Sequence, residues 1–363
     1  MTIAEGAVMT GFTGAIGAAV LLLYLLVLSG CASFRQKSDE VWQRPSGGEL
    51  APLEDAKAAI RTHLPYAWAS LAAYQRPTEP ECAEPHAFLR SIGWTRWLEL
   101  PQLLGDQPFN DPEMRSLAQA MREQHLRVEV WSRPPSEGRS GEVIVAFGGT
   151  EFRNLQDWKA NLHWVGAWFG AQDQYELISS RFVPAFAREF RRRQQRPDEA
   201  WLASARITPT GHSLGGGLAQ RFAYDVWDEL KLPADQLRVR EIYSFDPSPV
   251  SGKRTSPSFQ EHKDETLRYK GLKIYRIYNR GEILATVRSI LHFGNLNPDL
   301  NEQGQNWIDI RYKDNWSWRT LLPDGWVHAH GMESLACFMA KEINVPVMNT
   351  PGAASSVPAR APQ

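Results

Sequence analysis

The chain is poor in cysteine and has no excess of either charge. Three cysteines in 363 residues, Cys31, Cys82 and Cys337, exclude a miniature disulfide scaffold, and no two have metal-ligand spacing. His328-Ala329-His330 lacks a Cys or carboxylate placed to complete a zinc site, so no metal is assigned. Forty basic residues stand against 41 acidic ones, for a formal net charge of −1. A nucleic-acid partner, which needs Lys and Arg in clear excess against phosphate, is therefore not expected. Internal repeats are absent too. What remains is enough for a normal core: 43% hydrophobic residues, with 14 Trp and 15 Phe, which excludes global disorder.

The N-terminus stands apart from that core. Gly11 to Gly30 contains no charged residue and is densely apolar from Ala18 to Leu28. Residues 1–30 thus read as a secretory signal or an uncleaved membrane anchor. Leu28-Ser29-Gly30-Cys31 resembles the lipobox of bacterial lipoproteins, in which cleavage before the Cys leaves a thiol that carries diacylglycerol. One departure is the missing positive charge ahead of the apolar run, where Glu5 is acidic. Either reading implies a bacterial cell-envelope protein, membrane-anchored and facing the periplasm or held at the outer membrane. Residues 31–52 are expected to be a polar tether and residues 346–363 a disordered tail. With Cys31 lipidated, Cys82 and Cys337 are left to pair in an oxidising compartment or to sit as buried thiols.

Residues 53–345 read as one domain with a helical N-terminal part, broken by prolines up to about residue 125. Leu126–Trp131 alternates apolar and polar, and a Pro/Gly turn leads to a second strand at Glu142–Phe147, so the two form a hairpin. Further strands are expected at 207–210, 239–245 and 273–278, and helices at 176–196, 215–230 and 332–343. The five arginines between Arg188 and Arg196 read as a solvated face. Strands alternating with helices imply a mainly parallel central sheet covered by helices on both faces.

Gly211-His212-Ser213-Leu214-Gly215 has the G-x-S-x-G pattern of a nucleophile elbow. It follows an apolar strand and precedes an amphipathic helix, as that motif requires. Ser213 is the nucleophile candidate, and the helix N-terminus behind it offers N–H groups to a developing oxyanion. Pro209, within the preceding strand, is unusual because a central strand needs its donors.

The sequence resembles the class 3 lipases, a family of α/β-hydrolases, in four blocks between about residues 126 and 340. These are Val143-Ile-Val-Ala-Phe-Gly-Gly-Thr150, Asp157-Trp158-Lys-Ala-Asn161-Leu162, Thr210-Gly-His-Ser-Leu-Gly-Gly-Gly217 and Tyr275-Arg-Ile-Tyr-Asn-Arg-Gly-Glu282-Ile283-Leu284. The resemblance implies an α/β-hydrolase fold with Thr150 and the Leu214 N–H as oxyanion donors. It places the triad acid at Glu282, where the family has Asp; Gly148 likewise stands where the family has Arg. Asp246 in Ser-Phe-Asp-Pro-Ser is the rival acid. The base comes last in such folds. His330, just before the final helix, is preferred over His328 and His292. The aromatic stretch 162–170 lies where this family carries a lid, or else simply packs in the core. The implied protein is a membrane-tethered serine hydrolase acting on lipid or small esters at a membrane surface, without a cofactor. An acyltransferase or thioesterase with the same triad, or a non-catalytic lipoprotein on this scaffold, is the alternative.

Overall fold

Residues Glu142–Phe147 show why this chain builds a sheet with two covered faces. Val143, Val145 and Phe147 enter one apolar cluster, while Ile144 and Ala146 enter a second. A strand apolar on both sides is stable only when both sides are buried. The computed structural model describes residues 40–74, 84–101, 109–149, 172–231, 238–248, 251–252, 255–262, 271–279, 306–312 and 331–344.

The strands are β1 (Trp42–Pro45), β2 (Ala51–Pro52), β3 (Thr95–Arg96), β4 (Val128–Arg133), β5 (Glu142–Phe147), β6 (Arg206–His212), β7 (Glu241–Phe245), β8 (Lys273–Asn279) and β9 (Asn306–Tyr312). They form one sheet in the order β2-β1-β9-β8-β7-β6-β5-β4-β3. Neighbours from β5 to β9 pair in parallel. The outer pairs, including the expected β4–β5 hairpin, are antiparallel.

The helices are α1 (Ala56–Ala72), α2 (Pro85–Ser91), α3 (Pro112–Glu123), α4 (Gln172–Leu177), α5 (Val183–Gln194), α6 (Leu214–Leu230), α7 (Pro257–His262) and α8 (Met332–Glu342). A π-helical turn, Ile178–Phe182, joins α4 to α5. Side chains of α3, α5 and α6 pack on one sheet face. Those of α1, α2 and α8 pack on the other. The helical N-terminal part is therefore divided between the two covering layers, α3 on one face and α1 and α2 on the other.

Several expectations change. The tether expected over residues 31–52 reaches into the sheet: β1 pairs with β9 from Trp42↔Arg311 to Pro45↔Ile308. Strand β9 itself was not anticipated. Ile310 and Tyr312 point into the core, while Asp309 on the other side is buried between Arg44 (2.7 Å) and Arg276 (2.6 Å). Burial pushes the Asp309 carboxyl up, but the two guanidinium groups outweigh it and hold the carboxyl below its ordinary range. The polar positions of the β4–β5 hairpin do not face water either. Glu129 is fully buried against Arg96 (2.6 Å) and His86 (2.9 Å). Glu142 accepts from Tyr66 and Thr208, both at 2.7 Å.

The arginine face is also more than a solvated stripe. Arg193 is buried, pairs with Glu189, Glu99 and Glu199, and stacks 4.4 Å from the Trp97 ring centroid. Its neighbours Arg188, Arg191 and Arg192 stay largely exposed. Pro209 is tolerated because the register of β6 with β7 begins only at Thr210, while Pro209 still pairs with Val145 of β5. Cys337 is disulfide-bonded, so the free buried thiol does not hold; Cys31 and Cys82 both lie outside the described residues. Among the described residues no helix is long and apolar enough to cross a membrane, and the N-terminal apolar run is not among them.

His63 on α1 is buried beneath Tyr243 and bonds to the Tyr312 hydroxyl at 2.7 Å. Burial pushes its imidazole down from 6.5 to about 3. Below pH 6.5 the unfolded chain gains a proton that the folded chain refuses, so stability falls as pH drops toward 3. In thermal melts across that window, His63→Asn should lose melting temperature less steeply than the wild type. Equal slopes would show that His63 does not govern the acid limit.

Candidate active site

The reactive corner lies where β6 turns into α6. Ser213 has φ 58° and ψ −124°, a positive-φ backbone that residues with side chains rarely adopt. Such a conformation costs on the order of 1–3 kcal/mol and persists only when its surroundings enforce it. Here three backbone bonds do so. The Ser213 N–H donates to the Phe245 carbonyl (2.9 Å), and the Ser213 carbonyl accepts from Gly216 (3.0 Å) and Ser248 (3.1 Å).

Glycine makes the corner sterically possible. A Cβ on Gly211 would lie 2.3 Å from the Gly215 carbonyl oxygen, and one on Gly215 would lie 2.1 Å from the Phe147 carbonyl oxygen. Helix α6 thus touches the ends of β5 and β6 backbone to backbone. The turn after β5 comes equally close: a Cβ on Gly149 would lie 3.1 Å from the Ser213 Cβ. Leu214, nearly buried, is the first residue of α6, where N–H groups lack intrahelical acceptors. The N-terminal end of this 17-residue helix therefore meets the nucleophile candidate, as oxyanion stabilisation requires.

Of the other expected residues, Asp246 is described. It follows β7, beside the nucleophile strand, with φ 42° and no solvent exposure. Its N–H donates to the Ile277 carbonyl at 2.7 Å. Its Oδ2 lies 3.7 Å from Nε2 of His212. Thr150, Glu282, His292, His328, His330, Cys31 and the aromatic stretch 162–170 lie outside the described residues. Their described neighbours are Gly149, in contact range of the nucleophile, Asn279, three residues before Glu282, and Gly331, which caps α8 directly after His330. Among the described residues no group of three His, Cys, Asp or Glu side chains is placed to hold a metal ion.

Two residues at the corner were not anticipated as part of it. His212 fills the variable position of the elbow motif, and Tyr74, just after α1, carries no sequence signal at 138 residues' distance. The Tyr74 hydroxyl meets His212 Nδ1 at 2.5 Å, and a Cβ on Gly149 would lie 2.7 Å from that hydroxyl.

The tight backbone contact sets a stability requirement. Gly215→Ala should destabilise the fold by about 1–3 kcal/mol or more, through overpacking against main chain that cannot yield. A melting curve matching the wild type would show that α6 has room to move off the sheet.

The model of the lipase (class 3) family matches residues 144–291, which run from within β5 through the glycine turn and the elbow to beyond β8. Among solved structures, the chain is similar to the lipase of Rhizomucor miehei in its native propeptide complex, at 16% identity and a TM-score of 0.39. The match covers 67% of this chain and spans 64% of that one. None of the curated proteins matches the chain.

Proposed function

We propose that this chain, whose residues 144–291 match the class 3 lipase family, is a hydrolase of that family that cleaves carboxylic esters of lipids. The observation that supports this most is the backbone of Ser213, held at positive φ on the N-terminus of α6. Nothing in the packing of a plain strand–helix connection calls for that conformation. It turns the serine out of the strand direction at the point where the free N–H groups of the helix begin.

In this reading His330 takes the Ser213 proton as the serine oxygen attacks the ester carbonyl. The N–H of Leu214 and Thr150, the residue after Gly149, hold the oxyanion. His330 then protonates the leaving alcohol, and a water activated by the same imidazole releases the acid and restores Ser213. Glu282 orients the imidazole. The placement of Asp246 favours this choice, since its carboxylate approaches His212 of the elbow. No cofactor takes part in these steps. The substrate is a triacylglycerol, a phospholipid or a smaller ester met at a membrane surface, with the enzyme tethered there through its N-terminus.

Purified protein should react with a serine-directed phosphonate and cleave p-nitrophenyl esters. Ser213→Ala should lose both, with a fall in kcat on the order of 10⁶, because nucleophile, base and acid act as a unit. Glu282→Gln should lower kcat by about 10⁴, as expected when the triad acid is replaced. Asp246→Asn should cost far less. The opposite ranking would transfer the acid's role to Asp246, and wild-type protein inert to every acyl ester and to the phosphonate would remove the enzymatic reading.

The tether has its own measurement. Labelled fatty acid should enter the full-length protein in cells and disappear from it in Cys31→Ser. An intact mass that retains residues 1–30 would replace the lipid anchor with an uncleaved one.

A further inference from the structure

Directly behind the elbow, three polar side chains from three separate elements are buried in a row. Tyr74 comes from the segment after α1, His212 from the last position of β6, and Asp246 from the end of β7. All three are less than a tenth exposed. The Tyr74 hydroxyl contacts His212 Nδ1 at 2.5 Å, and the opposite ring nitrogen, Nε2, lies 3.7 Å from the Asp246 carboxylate. That last gap is too long for a direct hydrogen bond.

One tautomer suits this order of groups. A carboxylate only accepts, so it favours a proton on the facing Nε2. A neutral His212 then has a lone pair on Nδ1, and the tyrosine O–H donates to it. In that tautomer the Tyr74 hydroxyl holds one end of the imidazole and the Asp246 carboxylate faces the other.

What this row touches matters more than the row itself. His212 precedes Ser213 in the chain, and Asp246 follows Phe245, whose carbonyl accepts the Ser213 N–H. The Tyr74 hydroxyl also lies against the turn at Gly149, immediately before Thr150, and 3.5 Å from the His212 carbonyl oxygen. One hydroxyl thus braces both halves of the reactive corner, the nucleophile's backbone and the loop that leads to the oxyanion donor.

We infer that Tyr74, His212 and Asp246 are positioning residues that fix the distance between the Ser213 nucleophile and the oxyanion turn at Gly149. They do not touch the reacting atoms, and the inference rests on the serine-hydrolase reading above. A misplacement of about 1 Å between nucleophile and oxyanion donors costs up to about 100-fold in rate. Binding of the ester's distal parts does not depend on that distance.

The test uses full-length protein with phosphonate titration of reactive serine, so that kcat is expressed per titrated site. Tyr74→Phe, which deletes a single oxygen, should lower kcat per site by about 10- to 100-fold with KM changed less than twofold. His212→Gln should do the same. The double variant should be little worse than the poorer single one, because both break the same row. A role confined to folding would instead reduce the number of titratable sites and leave kcat per site intact, which would overturn the inference, as would losses that multiply in the double variant. Should Tyr74→Phe fail to fold, His212→Gln and Asp246→Asn form the same cycle under the same criteria. A wild type that does not titrate at all brings down the serine-hydrolase reading first and this inference with it.

Discussion

The structure depends on one backbone contact, the approach of α6 to the end of β5 at Gly215 and the Phe147 carbonyl. It sets the angle at which the helix leaves the sheet, and so where its N-terminal N–H groups point. It also confines Ser213 between a strand that cannot move and a helix that cannot retreat. The strained φ of Ser213 then follows from the geometry of its neighbours: hydrogen bonds to the Phe245 carbonyl and from Gly216 and Ser248 hold a conformation that the residue would leave if released. The apolar layers on both sheet faces keep those neighbours in place.

Charge inside this fold is organised by pairing. Glu129, Glu142, Asp309 and Arg193 are all buried, and each meets partners from distant parts of the chain. Removing one member of such a group leaves the rest uncompensated in a poorly polarisable interior, so these clusters define which strands lie side by side more than they add stability. The two arginines around Asp309 are an instance: Arg276 lies on the adjacent β8 and Arg44 on β1 beyond β9. Only one strand order brings all three together.

The sheet and the elbow were legible because their signals are local. Val143–Phe147 is apolar throughout, and G-x-S-x-G couples a steric need to five consecutive residues. What escaped notice was nonlocal. β9 carries Asp309 and Arg311 among its apolar residues, and its charges make sense only beside Arg44 and Arg276. Arg193 looked like one of five solvated cations, and only the packing of Trp97 and three glutamates against it shows otherwise. Tyr74 belongs to the corner solely because α1 covers that end of the sheet, which no spacing in the chain encodes.

The pairing of β1 with β9 has a consequence for scale. Among the described residues the first strand begins at Trp42, and only ten residues of sequence separate it from Cys31. Fully stretched, that span reaches no more than about 40 Å, less than the width of many globular domains. A molecule attached at Cys31 would therefore patrol a thin shell above its membrane.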